Sequence, residues 1–217
     1  MKQLFSLADV MFFLLMTPSS LPAHASTIYA FGSPNLHAIK TDDRLMGFFS
    51  SLARGSGCIF FFYQTENKFK SRIPIRIYET DGKFPKSTSN NDANGEIYVN
   101  GDDWTLRSND LNAGCTMKAN IVFPNFSAPE DEKKSNTFKV TKKFNGLAIK
   151  ILDNKHYIYR EINNSFVEQK SYLVNGDIVI VLAEKGEYSF VQYTNPMTTK
   201  ITKGWIKSQS IVSPFPD

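Results

Sequence analysis

The sequence is poor in the side chains from which catalytic and metal sites are built. It has two cysteines and three histidines in 217 residues, and it lacks the HExxH and GxSxG motifs of zinc peptidases and serine hydrolases. Thiol and metal chemistry need clusters of such side chains. We therefore expect no catalytic residue, no metal site, no cofactor and no enzymatic activity, although the counts leave a Ser–His–Asp triad open.

Long apolar runs and clustered basic residues are also absent from the chain beyond its N-terminal segment. A membrane-spanning helix needs about 20 apolar residues, so we expect no membrane span. The net charge of +4 is spread along the chain, whereas nucleic-acid binding needs a clustered basic patch. We expect no nucleic-acid partner, and the mild positive charge is compatible with acidic partners such as cell-wall polymers.

Residues 1–25 have the pattern of a secretory signal peptide. Lys2 precedes the apolar run Val10–Met16, and Ala23-His24-Ala25 forms an A-x-A cleavage site. A membrane anchor is the alternative, but the apolar run is too short to span a bilayer. The sequence therefore predicts cleavage after Ala25 and a periplasmic or secreted protein.

Residues 26–123 are predicted to form an antiparallel β domain. In the segment 72–78, the three isoleucines Ile73, Ile75 and Ile77 alternate with polar residues, which is typical of a strand with one buried face. Pro74 favours an edge position for this strand. Residues 36–54 carry apolar side chains near helical spacing, so a short helix is expected there.

Two acidic or cysteine-containing features of this domain have simple structural interpretations. Cys58 and Cys115 are the only cysteines of an exported chain, which favours a disulfide between them. A loop of this length would stabilise the fold by about 4 kcal/mol. Asp102, Asp103 and Asp110 could hold calcium, but Asn100-Gly101-Asp102 is a strong hairpin signal and explains this cluster more simply.

The segment 124–136 is rich in proline and charge, and it is predicted to be a linker to a second domain at 137–217. Residues 138–152 could hold either the first strand of this second domain or the last strand of the first one. The stretch 172–212 carries β-branched runs separated by short turns, which favours a small β-barrel. Its motifs are Tyr172-Leu173, Gly176-Asp177, Gly186-x-Tyr188-x-x-Val191, Gly204-Trp205-Ile206 and Ser208 to Ile211.

In this order and spacing the motifs resemble the bacterial SH3-like (SH3b) family over about residues 153–212. The resemblance implies an SH3-like β-barrel in this part of the chain. Together with the pattern of the N-terminal residues, it predicts a mainly β protein in which a disulfide-linked antiparallel domain precedes this barrel. It also implies a non-catalytic domain that binds peptidoglycan or protein segments. Tyr188 stands where the family usually has tryptophan.

Large side chains that combine an aromatic ring with a polar group favour interfaces. We therefore expect the ligand-binding residues to be Tyr157, Tyr188, Tyr193 and Trp205, although completing a small core is the alternative role. The predicted function is an exported protein that binds cell-wall peptidoglycan or an exported protein. The alternative is a periplasmic immunity or inhibitor protein that blocks a cell-wall- or membrane-attacking enzyme. The sequence leaves the oligomeric state open.

Overall fold

The computed structural model describes residues 26–32, 35–42, 44–53, 56–66, 71–79, 92–108 and 137–216. Within these ranges every regular element is a β-strand apart from one 3₁₀ turn, so the expectation of a mainly β protein is confirmed. No helix in this part of the chain is long and apolar enough to cross a membrane. The predicted signal peptide, the linker and the cysteine at 115 lie outside the described residues.

Eight strands form a closed antiparallel barrel in which each strand pairs with its neighbours in sequence, and β1 pairs with β8. The strands are β1 Ser26–Phe31, β2 Asn35–Lys40, β3 Leu45–Ala53, β4 Ser56–Gln64, β5 Arg72–Glu79, β6 Ala93–Asn100, β7 Asp103–Ser108 and β8 Thr137–Gly146. The sequence predicted an antiparallel β domain here, and closure of the barrel removes the free edges that an open sheet would have.

The predicted burial of one face of β5 is confirmed, because Ile73, Ile75 and Ile77 all point into the barrel and are buried. Pro74 is not at a sheet edge, since β5 pairs with both β4 and β6. Its carbonyl accepts a hydrogen bond from the Thr65 amide, and the β4–β5 register begins at Ile75. The proline therefore sits where the β4–β5 ladder ends: it accepts the Thr65 amide, but without an N–H it cannot return a bond to Thr65.

The predicted helix at residues 36–54 is wrong, because the structure has strands β2 and β3 there. Leu36 and Phe49 point into the barrel, whereas Ile39 and Phe48 point outward and are buried against the second sheet. Strands buried on both faces carry apolar residues at odd and even positions alike, so the alternation that marks a strand is lost.

The segment placed by sequence at the start of the second domain completes the first one. Strand β8 pairs with β1 and β7, and its Phe138 and Val140 lie in the barrel core. The second sheet starts only at Ala148, after the single residue Leu147. Lys139 stands between the buried Phe138 and Val140 and is exposed, as a strand with one buried face requires.

The second sheet has seven antiparallel strands in the order β11-β10-β14-β13-β12-β9-β15. They are β9 Ala148–Leu152, β10 His156–Ile162, β11 Ser165–Leu173, β12 Ile178–Lys185, β13 Tyr188–Thr194, β14 Ile201–Lys207 and β15 Ile211–Val212, with the 3₁₀ turn Ser208–Ser210 before β15. The β10–β11 hairpin turns through Asn163 and Asn164, which both have positive φ, as a type I′ turn requires.

Three apolar clusters hold the fold together. The first fills the barrel and the third fills the inner face of the second sheet, around Val179, Val191 and Ile206. The second lies between the two sheets, where Phe61 on the outer surface of the barrel meets Ile180 and Phe215. The Tyr78 hydroxyl donates a hydrogen bond to the Pro214 carbonyl across the same contact. The outer face of the barrel is thus covered over this area by the second sheet and the C-terminal segment.

Candidate functional site: an aromatic strip on the second sheet

A connected set of half-buried aromatic rings lies on the outer face of the second sheet. We call these five residues the aromatic strip: Tyr159, Phe166, Tyr188, Phe190 and Trp205. The Phe166 and Tyr188 rings stack with centroids 3.9 Å apart, and Tyr159 meets Tyr188 edge to face at 5.3 Å. Trp205 lies 5.2 Å from both Phe166 and Phe190. The strip therefore crosses four strands as one continuous surface.

Strand register places these rings together. Tyr159 lies opposite Trp205, and Trp205 lies opposite Phe190. Their sequence neighbours Ile158, Val191 and Ile206 point to the other face and form its buried core. Since side chains alternate between the two faces of a strand, burying one face leaves the aromatic rings on the outer one.

Polar groups border the strip on the β10–β11 side. The Tyr159 hydroxyl donates a hydrogen bond to Glu168 Oε2 at 3.0 Å. Desolvation, followed by this bond to Glu168, raises the pKa of Tyr159, so the tyrosine stays a neutral donor at neutral pH. Lys185 forms an ion pair with Glu161 and also contacts Asn164 Oδ1 at 3.3 Å. An apolar centre with a polar rim is the usual composition of a protein interface.

A groove of about 370 Å³ opens beside the strip between β10 and β14. Three strip residues, Tyr159, Phe190 and Trp205, form its apolar part. Its polar lining carries both signs of charge and amide groups, and includes Arg160, Glu161, Gln169 and Lys203. A lining of this kind can contact an apolar group and a charged or amide-bearing group of one ligand at the same time.

No protein-family model matches the chain, and neither does any curated protein or solved structure. Function is therefore argued from the site itself.

The structure does not bring the four predicted binding residues together. Tyr188 and Trp205 both belong to the strip, where Phe166 joins them. Tyr157 lies apart: it is 40% exposed and forms an edge-to-face pair with Tyr172 at 6.1 Å. Lys155 lies over both rings of that pair, 4.0 Å from Tyr172 and 5.2 Å from Tyr157.

Tyr193 lies on the opposite face from the strip and packs against the inner core of the second sheet. Desolvation, with a smaller contribution from Asp177, raises its pKa to about 12. It also lines a cavity between the sheet and the barrel. Tyr193 is therefore separated from Tyr188 although both residues lie on β13.

Sequence reasoning missed Phe166 and Phe190 as members of the site, because it selected aromatic rings that carry a polar group. It did not choose Tyr159 either. The β10–β11 hairpin contains the signal that would have found Phe166. Its Asn163-Asn164 turn fixes the register, which puts Phe166 opposite Glu161 and two positions from Glu168, the partner of Tyr159.

A Ser–His–Asp arrangement is present at the other end of β10. The Ser210 hydroxyl lies 2.9 Å from His156 Nδ1, and His156 Nε2 lies 3.1 Å from Asp153 Oδ1. Ser210 is only 1% exposed, and nucleophilic catalysis needs a hydroxyl that a substrate can reach. The contacts join the turn before β15 to the start of β10, which is a structural role.

The remaining chemical candidates are less informative. Cys58 on β4 lies in the barrel core, and because its predicted partner is outside the described residues, the disulfide stays a prediction. Asp102 forms the tip of the β6–β7 hairpin, where Gly101 has φ +62°, and pairs with Lys143 at 2.6 Å. Within the described ranges no group of three His, Cys, Asp or Glu side chains could hold a metal ion.

Proposed function

We propose that this chain is an exported, non-catalytic binding protein, and that the aromatic strip binds an extended peptide segment of the cell wall or of an exported protein. The observation that carries the proposal is the strip itself: five aromatic rings in mutual contact, half-buried, with an apolar centre and a polar rim. Rings fixed by their neighbours lose little conformational entropy on binding, which makes them efficient contact surfaces.

The position of the strip favours an extended ligand. Strand β11 is the terminal strand of the second sheet, and its Phe166 is a strip residue. An extended peptide added beside β11 would pair with its outward-facing backbone groups, and every second side chain would lie on the strip side. The charged and amide groups of the groove would then contact the polar atoms of the peptide.

A matched pair of variants on the second sheet tests this proposal. Phe166→Ala removes the ring that joins Tyr188 to Trp205, whereas Tyr157→Ala removes an exposed aromatic ring outside the strip. Truncation of a central interface residue costs about 2 kcal/mol or more, which is roughly thirtyfold in affinity. We expect Phe166→Ala to lose that much binding and Tyr157→Ala to bind like the native protein.

The measurement is co-sedimentation of the mature protein with purified cell-wall sacculi, and affinity capture from periplasmic extract, with thermal melting of each variant as the folding control. Equal binding by both variants with native melting temperatures would contradict the proposal. Capture of an exported cell-wall hydrolase whose activity falls on binding would instead favour the inhibitor interpretation.

A further inference from the structure

A cavity of about 450 Å³ lies between the outer surface of the barrel and the second sheet. The barrel contributes His37 and Ser50 together with the apolar side chains Phe48 and Ile59. The second sheet contributes two loop regions, 175–178 and 193–197. This volume is within the range of about 300–1,000 Å³ that is typical of small-molecule sites. The cavity is separate from the aromatic strip, because none of its lining residues belongs to the strip.

His37 contributes ring surface to the barrel wall of this cavity. The residue is 5% exposed, and its ring is held in place by stacking on Phe48, with centroids 5.1 Å apart and planes 12° from parallel. Its Nδ1 has no hydrogen-bond partner in the described part of the chain and less than 1 Å² of accessible surface. A ligand in the cavity therefore contacts other atoms of the ring and not this nitrogen.

Among the described residues of the lining, Asp177 on the opposite wall is the only charged side chain. It contributes to raising the pKa of Tyr193, and its Oδ2 accepts the Val174 amide at 2.9 Å. This bond orients the carboxylate and leaves it further capacity to accept, since an ionised carboxylate has about four lone-pair sites. The electrostatic environment of the described lining therefore favours a cation and disfavours an anion.

The mouth of the cavity is formed by the loop between β13 and β14. Asn195 Oδ1 accepts the backbone amides of Met197 and Thr198, both at 3.0 Å, which fixes the start of this loop. Met197 lies at the mouth with 68% of its surface exposed. An unbranched thioether side chain adapts easily to different apolar shapes, so Met197 is suited to cover a bound ring.

We propose that this cavity binds a small cationic aromatic molecule. Its ring lies against Phe48, Ile59 and Ile178, and its charged N–H groups donate to Asp177. The proposal does not depend on the aromatic strip, and the two sites can fail or succeed separately.

Three probes of the same shape and different charge test this assignment: benzamidine (cationic), benzamide (neutral) and benzoate (anionic). Their binding to the full mature protein is measured by titration calorimetry and by NMR shift changes of the assigned residues. We expect benzamidine to bind most tightly, benzamide about tenfold more weakly because a charge-assisted hydrogen bond is lost, and benzoate not at all. The shift changes should centre on Ile178, Tyr193 and Met197.

Two isosteric variants separate the cavity from a general charge effect. Asp177→Asn should weaken benzamidine binding about tenfold and leave benzamide unchanged, because only the charged contact is removed. Glu184→Gln removes an exposed carboxylate of β12 outside the cavity and should change neither probe. Since Asp177→Asn disturbs a turn, the NMR map on the native protein serves as the second measurement. Equal binding of benzoate and benzamidine, shift changes elsewhere, or no binding of any probe would overturn the proposal.

Discussion

The buried histidine between the two sheets makes stability depend on pH in a way that can be calculated. Burial lowers the pKa of His37 from 6.5 to about 4. Below pH 6.5 the unfolded chain binds a proton at this residue, whereas the folded protein stays neutral there until about pH 4. Since the unfolded state binds more protons in this window, stability falls as pH falls through it and is constant with respect to this group outside it.

The size of the effect follows from the shift. Each pH unit within the window costs about 1.4 kcal/mol, so His37 should remove about 2 kcal/mol of stability between pH 6.5 and pH 5, and about 3 kcal/mol by pH 4. The residue is only 5% exposed, so solvent screening does not reduce this value much. For a protein of this size, 2 kcal/mol corresponds to a fall of about 4–8 °C in Tm.

The assay compares the native protein with His37→Phe, which keeps the stack on Phe48 and removes the titrating group. Urea unfolding of both proteins at pH 7, 6, 5 and 4.5 gives the difference in their free energies of unfolding. The other ionisable groups are common to both proteins, so their contributions largely cancel in this difference. We expect the variant to gain about 2 kcal/mol relative to the native protein between pH 7 and pH 5. A difference that stays constant with pH would refute the reasoning.

Two further predictions concern the core. Phe61 is fully buried between the barrel and the C-terminal segment, 5.7 Å from Tyr78 and 6.0 Å from Phe215, so Phe61→Ala should cost about 3–5 kcal/mol in urea unfolding. The 50%-exposed Tyr172 is its control, and a similar loss for Tyr172→Ala would contradict the assignment. Thiol labelling of denatured, unreduced exported protein should find neither Cys58 nor Cys115 reactive, and stoichiometric labelling of both would show that the predicted disulfide is absent.

Sequence reasoning succeeded in β5, where one face of the strand is buried, and failed in β2 and β3, where both faces are buried. The isoleucines of β5 alternate with polar residues, and their strand was predicted. In β2 and β3 the neighbours Phe48 and Phe49 are buried on opposite sides of the barrel wall. The apolar residues of β2 and β3 therefore do not alternate with polar ones, and a helix was predicted instead. The outer face of β2 and β3 is covered by the second sheet, which lies far away in sequence, so no local sequence pattern could reveal this burial.

The candidate site shows the same limits. Tyr188 and Tyr193 lie five positions apart on β13, and alternation alone puts them on opposite faces. The sequence contained this information once the strand was assumed continuous. Tyr157 and Tyr159 are two positions apart, but the β10–β11 register shifts between them. This irregularity accompanies the separation of Tyr157 from the strip, and short sequence patterns do not predict such bulges.

The junction between the barrel and the second sheet has a consequence for how the chain can be divided. Strand β8 closes the barrel and reaches the second sheet through Leu147, whose amide bonds to the Val181 carbonyl at 2.8 Å. A Cβ atom at Gly146 would lie 2.6 Å from Ile28 of the barrel, so the backbone at this position is tightly packed against the barrel. A protein truncated before Thr137 would leave β1 and β7 as exposed sheet edges that are prone to aggregate. A recombination event that exchanges the barrel for another domain would have to keep β8 with the barrel. A boundary within the proline-rich segment 124–136 would separate the barrel from its own last strand.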